Sequence, residues 1–229
     1  MRFKNPFNDL TKFELGLWIV SLIVVTGSFV LSRGGDYMTL IASLIGVTAL
    51  IFVAKGYVVG QVLTVVFALF YGVISFYFRY YGEMLTYMCM TAPIAIMAVV
   101  SWIKHPFKDT KEVEVRKMHR SEVAFMIALS IVVTLIFYFI LDMLNTANLL
   151  FSTISVTTSF MACFLTYMRN PFYAVAYAAN DIVLIILWIL ASIEDISYLP
   201  MVLCFVMFFA NDVYGFVNWK RMEKKQGEE

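Results

Sequence analysis

Two asparagine–aspartate pairs lie inside long apolar stretches of the chain, at Asn180-Asp181 and at Asn211-Asp212. An ionisable side chain in hydrocarbon costs about 2.5–3.5 kcal/mol on insertion scales, so it normally faces a cavity or a partner. Asp181 lies about 15 Å and Asp212 about 10 Å from the same end of the helix bundle, at the α-helical rise per residue. Gln61, early in another apolar stretch, lies at a comparable depth. The sequence therefore predicts a polar chamber between adjacent helices.

Aromatic residues near these positions indicate the kind of ligand that the chamber would bind. Amides and carboxylates bind hydroxyl groups, and aromatic faces stack on planar rings and attract positive charge. We therefore expect a ligand that has hydroxyl groups and a planar ring, and a positive charge on that ring would favour binding. The candidate aromatic residues are Tyr177, Trp188, Tyr214, Tyr71 and Tyr87.

The same polar residues have two other interpretations. Asparagine and aspartate can be structural, because they form hydrogen bonds between membrane helices. Alternatively, one aspartate could titrate and couple transport to protons. The sequence does not distinguish a ligand site from a proton carrier.

The composition indicates that membrane helices position these residues. Of the 229 residues, 62% are hydrophobic and 14% are charged, which is too apolar for a water-soluble domain. Eight apolar stretches are each long enough to span a bilayer, at about 20 residues per span. The sequence predicts an all-α integral membrane protein of about eight helices, with no room for a soluble catalytic domain. The stretches are 14–31, 37–54, 57–79, 84–103, 121–141, 148–168, 172–192 and 197–218.

The basic residues are distributed unevenly between the two sides of the predicted bundle. Of 17 lysines and arginines, 15 fall in the N-terminal segment, the turns at Lys55 and Arg169, the loop 104–120 and the C-terminal tail. Only Arg33 and Arg79 fall on the other side. Because cytoplasmic loops carry an excess of Lys and Arg, both termini are predicted to be cytoplasmic, and the loop 104–120 is predicted to be solvated.

Signatures of enzymes, metal sites and cofactor sites are missing from the sequence. It contains no HExxH, P-loop, GxGxxG or GxSxG motif, and both histidines, His105 and His119, flank the basic loop. The three cysteines lie in apolar stretches without metal or redox spacing, and they are interpreted as small core residues. We expect no catalytic residue, no metal and no cofactor. The cysteines are Cys89, Cys163 and Cys204.

A weak internal repeat relates the two halves of the chain. Tyr71 and Trp102 are 31 residues apart, as are Trp188 and Trp219, and the two pairs are offset by 117 residues. With a helix between them, two triplets of helices would run parallel, which is a known plan for transporters with a substrate site at the repeat interface. Within a single transmembrane domain, 1–229, the predicted parts are an extra N-terminal helix at 14–31, a first triplet repeat at 37–103, a cytoplasmic basic loop at 104–120, a linker helix at 121–141 and a second triplet repeat at 148–219.

Several of these motifs resemble the PnuC family of vitamin and nucleoside transporters, over about residues 37–222. The resembling residues are Ala54-Lys55-Gly56, Tyr71, Tyr81-Gly82-Glu83, Tyr87, the interval from Pro93 to Trp102, Asn180, and the stretch from Asn211 to Met222. The resemblance implies a three-plus-one-plus-three arrangement similar to the SWEET sugar transporters, after an additional first helix. It also implies uptake of nicotinamide riboside, an NAD precursor, by facilitated diffusion across the bacterial inner membrane, with cytoplasmic phosphorylation trapping the substrate. A homo-oligomer is expected, with the lipid bilayer as the surroundings and no nucleic-acid partner.

Two positions depart from the family pattern and keep other substrates open. The family usually has P-M-Q in the fourth span, where this chain has Pro93-Ile94-Ala95, and W-x-x-x-N in the seventh, where Ala176 precedes Asn180. The alternatives are a deoxynucleoside, thiamine or riboflavin. A non-transporting membrane receptor or scaffold is the competing class of protein.

Overall fold

The fold consists of eight long helices, in a computed structural model that describes residues 5–31, 37–77, 81–146 and 148–228. By length and composition, eight helices in these residues can cross a membrane, which confirms the predicted all-helical membrane fold. The loop 32–36, with Arg33, and Arg79 of the orientation argument lie outside the described residues. The helices are α1 (Lys12–Leu31), α2 (Tyr37–Ala54), α3 (Val58–Tyr77), α4 (Tyr81–Lys104), α5 (Arg120–Met143), α6 (Leu149–Tyr167), α7 (Tyr173–Glu194) and α8 (Leu199–Glu228).

Both ends of the chain lie at one end of the bundle, which we call the terminal face. Lys111, in the loop after α4, contacts Asp9 near the N-terminus. Gln226 near the C-terminus binds the same loop, donating to the Val113 carbonyl at 3.1 Å. The other end of the bundle is called the opposite face.

The loop 105–119 is exposed over much of its length and is anchored to the protein at Val113. Val113 is 1% exposed and belongs to a buried apolar cluster with Trp102 and Trp219. The loop also donates a backbone hydrogen bond to each of the two turns at this face, from Val113 N to Gly56 O and from Arg116 N to Arg169 O, both at 2.9 Å. The basic loop therefore joins the two halves of the chain in addition to carrying positive charge.

The turns after α2 and α6 have the same geometry. Gly56 and Arg169 occupy equivalent positions with φ of +67° and +58°, a left-handed conformation that ends a helix. Gly60, just after the first turn, lies against the backbone of α2, because a Cβ there would be 2.4 Å from Val53 N. Helices α2 and α3 can thus approach closely, as small residues allow in membrane proteins.

Two tryptophans form the core of the terminal face in a reciprocal arrangement. We call Trp102, Trp219 and Tyr173 the terminal hub. The indole rings lie 5.4 Å apart and are 0% exposed. Trp102 Nε1 in α4 donates to Thr166 O in α6 at 3.0 Å, and Trp219 Nε1 in α8 donates to Val53 O in α2 at 2.9 Å. Each triplet delimited from the sequence is thereby bonded to the other, whereas the repeat itself stays a prediction.

Helix α4 changes its winding in the middle. Residues Thr86–Thr91 form a π-helical segment immediately before Ala92-Pro93. Proline has no N–H to donate, so a helix commonly widens or kinks next to it. The wider turn changes the direction in which Tyr87 points, and π segments are frequent at functional sites.

Candidate functional site

A cavity of about 350 Å³ lies between α3, α4, α6, α7 and α8 in the half of the bundle towards the opposite face. Its walls contain tyrosines and a tryptophan on one side and hydroxyl groups of α6 on the other, so we call it the aromatic cavity. Its lining includes Tyr71, Glu83, Thr86, Tyr87, Ser152, Ser155, Ser159, Leu184, Trp188 and Phe205.

The rings of Tyr71 and Tyr87 form the centre of the aromatic wall. Their centroids lie 4.6 Å apart with an interplanar angle of 50°, and Phe67 packs against both rings. Gly72 allows this contact, because a Cβ there would be 2.6 Å from the side chain of Met88 in α4. A tilted pair of rings at this spacing provides an aromatic surface for a planar ligand.

Glu83, in the first turn of α4, is the acidic residue among the described residues that line the cavity. The residue is half-buried and lines the same cavity as Tyr71, the tyrosine with which it interacts. Among the described residues that line the cavity there is no lysine or arginine. A carboxylate beside aromatic faces favours a cationic ligand, because both attract positive charge.

Asn180 lies directly behind the hydroxyl wall. Its Oδ1 accepts hydrogen bonds from Ser155 and Thr158 of α6, both at 2.9 Å. Because Ser155 also lines the aromatic cavity, Asn180 fixes a wall residue and is one hydrogen bond away from the cavity.

Asp181 and Asp212 meet between α7 and α8, closer to the terminal face than Trp188. Both residues are 3% exposed, and their carboxyl groups face one another. Asp181 Oδ2 has no hydrogen-bond partner among the described residues.

Asn211 contacts a different helix from its neighbour Asp212. Its Nδ2 donates to Ser21 Oγ of α1 at 3.0 Å and to Met207 O at 2.7 Å. Consecutive residues of a helix are about 100° apart around its axis, so each asparagine–aspartate pair faces two neighbouring helices rather than one chamber.

The remaining predicted residues lie closer to the terminal face. The Tyr214 hydroxyl donates to Glu14 at 2.7 Å, beside a second cavity of about 690 Å³ lined by α1 and α8. Tyr177 contacts Cys163 Sγ through its hydroxyl at 3.3 Å, and Gln61 is 2% exposed in the first turn of α3. Of the ten predicted residues, Tyr71, Tyr87 and Trp188 line the aromatic cavity.

Glu83 is the residue that the sequence argument did not select. It fell between the predicted stretches 57–79 and 84–103, although it lies four residues before Tyr87, a spacing at which helical side chains are neighbours. In the part of the chain that the structure describes, no group of three or more His, Cys, Asp or Glu side chains could hold a metal ion.

Known proteins with similar sequences and folds are transporters. A family model described as nicotinamide mononucleotide transporter matches residues 36–221. The chain is 24% identical over 227 residues to the nicotinamide riboside transporter PnuC of Neisseria mucosa, which covers 97% of this chain and 86% of that protein. Its fold is similar to the crystal structure of the vitamin B3 transporter PnuC, with a TM-score of 0.81 and 25% identity, covering 96% of this chain and 95% of that one.

The resemblance predicted from the sequence is thereby confirmed. The family match covers most of the eight-helix bundle, and the structural similarity extends over nearly all of it. This multi-pass membrane protein belongs to the nicotinamide mononucleotide transporter family, with PnuC-like relatives.

Proposed function

We propose that this transporter carries nicotinamide riboside and binds it in the aromatic cavity. The observation that carries the proposal is the pair of rings Tyr71 and Tyr87, 4.6 Å apart, with Glu83 lining the same cavity. Nicotinamide riboside has a planar pyridinium ring with a positive charge. Aromatic faces and a carboxylate stabilise such a ring through stacking and charge attraction.

The chemistry of the cavity favours a riboside over a mononucleotide. A phosphate group needs cationic or N–H donors, whereas the charged group among the described lining residues is Glu83. Like charges in a poorly solvated cavity repel one another. Nicotinamide mononucleotide is therefore the weaker ligand in this proposal.

The hydroxyl wall of α6 suits the ribose. Ser152, Ser155 and Ser159 lie at spacings that place them on one face of the helix, and all three line the cavity. Hydroxyl groups can donate and accept, as the hydroxyls of ribose do. A substrate with its ring against the tyrosines and its sugar on α6 would use both walls.

Transport would move the substrate from the aromatic cavity towards the terminal hub. Tyr71 and Trp188, which are equivalent in the proposed repeat, face the same cavity, and this supports a site between the two triplets. The predicted residues Gln61, Tyr177, Asp181 and Asp212 lie further along this direction and would meet the substrate in another conformation.

We further propose facilitated diffusion, in which the substrate's own gradient drives uptake. We place the protein in a bacterial inner membrane, with both termini on the cytoplasmic side as the basic residues predict. In this orientation the aromatic cavity would lie towards the outside. A homo-oligomer and the absence of enzymatic activity belong to the same proposal. Thiamine, which also has a cationic ring, a deoxynucleoside and riboflavin are the alternative substrates.

The test is a ligand panel with matched tyrosine variants. Purified protein is challenged with nicotinamide riboside, nicotinamide mononucleotide, thiamine, riboflavin and deoxynucleosides, and its melting temperature is measured. Nicotinamide riboside should stabilise the wild type and Tyr138→Leu, whose tyrosine is 41% exposed on α5, but not Tyr87→Leu. Uptake into proteoliposomes should follow the same order.

Other results lead to different conclusions. Stabilisation by thiamine or a deoxynucleoside alone would replace the substrate and keep the transporter. Binding without uptake in proteoliposomes would favour the receptor.

A further inference from the structure

The four tryptophans differ in the hydrogen bonding of their indole N–H groups. Three of them donate to a partner: Trp18 to Thr48 Oγ1 at 3.2 Å, Trp102 to Thr166 O at 3.0 Å and Trp219 to Val53 O at 2.9 Å. Trp188 Nε1 has no partner among the described residues, although the atom is buried. Because a buried N–H without a partner is costly, this exception among the tryptophans needs an explanation.

The position of Trp188 supplies one. The side chain is 9% exposed, and the residue lines the aromatic cavity on α7. Its ring is held by Tyr198, with centroids 5.6 Å apart. The unsatisfied donor thus belongs to a fixed ring in the wall of the cavity.

We propose that Trp188 Nε1 donates a hydrogen bond to the carboxamide oxygen of the substrate and thereby selects a nicotinamide ring over a nicotinate ring. This inference rests on the proposed function and assigns one specificity contact within it. A carboxamide has an oxygen that can accept a hydrogen bond from Trp188 and an NH2 group that can donate one to Glu83. A carboxylate in its place has no N–H for Glu83 and would be repelled by it.

The decisive variant is Trp188→Phe, which removes the N–H and keeps an aromatic ring. Trp18→Phe is the matched control, because it removes an indole N–H that has a partner, Thr48, and lies outside the aromatic cavity. Melting temperatures without ligand, and affinities for nicotinamide riboside and nicotinic acid riboside, are measured for the wild type and both variants.

The two variants should respond in opposite ways. Trp188→Phe should keep or raise the melting temperature without ligand, because it removes an unsatisfied donor, and should lower the affinity for nicotinamide riboside by about 10-fold. Trp18→Phe should lower the melting temperature and leave the affinity unchanged. The wild type should bind nicotinamide riboside more tightly than nicotinic acid riboside, and Trp188→Phe should reduce that preference.

Failure of the inference can be distinguished from failure of the proposed function. If the wild type binds nicotinamide riboside and Trp188→Phe binds it equally well, the contact is overturned and the function is retained. If the wild type does not bind nicotinamide riboside, the proposed function is overturned, and the carboxamide contact with it.

Discussion

The terminal hub and the aromatic cavity use aromatic residues at corresponding places in the chain for different purposes. Trp102 and Trp219, offset by 117 residues, pack at a tilt with their ring centroids 5.4 Å apart, and both donate their N–H groups to carbonyl oxygens. Tyr71 and Trp188 have the same offset, but they line a cavity of about 350 Å³ and Trp188 Nε1 has no described partner. The Trp102–Trp219 pair is closely packed, whereas Tyr71 and Trp188 lie beside an open cavity.

The difference separates residues that stabilise the fold from residues that are available to a ligand. A filled site with satisfied donors contributes packing and hydrogen bonds to the folded protein. A cavity with an unsatisfied donor lacks both the packing contacts and the hydrogen bond until a ligand binds. Substitutions in the hub should therefore affect stability first, and substitutions in the cavity should affect affinity first.

The largest effect is expected for Trp219→Ala. The indole is fully buried and bonded to Val53 O, so its truncation should lower the free energy of unfolding by about 3–5 kcal/mol. Denaturant titration in detergent measures this, with Ile136→Ala on the exposed face of α5 as control. A loss below about 1 kcal/mol would mean that the hub does not hold the two halves together.

The next effect is expected for Glu83→Gln, in the cavity. Loss of the negative charge should weaken binding of nicotinamide riboside by about 10- to 100-fold, which is the typical effect of losing an interaction with a charged group. The melting temperature should change little. Reduced nicotinamide riboside, whose ring is neutral, serves as the control ligand in the same binding assay. Equal losses for both ligands would show that Glu83 acts through shape rather than charge.

Much of the fold follows from the sequence, because a spanning helix must be long and apolar whatever its neighbours are. The eight helices were predicted for this reason, and the structure extends α8 to Glu228, where Gln226 forms hydrogen bonds with the backbone of Val113 and Val115. The π segment at Thr86–Thr91 was not predicted, since it depends on Pro93 and on contacts between α3 and α4 that are distant in sequence.

The candidate site could be predicted only in part. Residues that are adjacent in sequence were assigned to one chamber, but a step of two residues turns a helix by about 200°. Asp212 therefore faces α7, whereas Tyr214 faces Glu14 of α1. Glu83 escaped selection because the Gly82-Glu83 pattern is also typical of a turn, and only the packed helices bring its carboxylate to Tyr71.

The smallest effect is expected for Tyr214→Phe, which tests the boundary between the two regions. The variant removes one hydrogen bond to Glu14, whose carboxylate keeps Lys55 Nζ at 3.0 Å and Thr11 N at 2.6 Å. Stability should fall by about 1 kcal/mol, and the affinity for nicotinamide riboside should stay within twofold of the wild type, as measured by denaturant titration and ligand binding. A tenfold loss of affinity with unchanged stability would place Tyr214 on the substrate's route, and the separation between a structural terminal face and a binding cavity would then no longer hold.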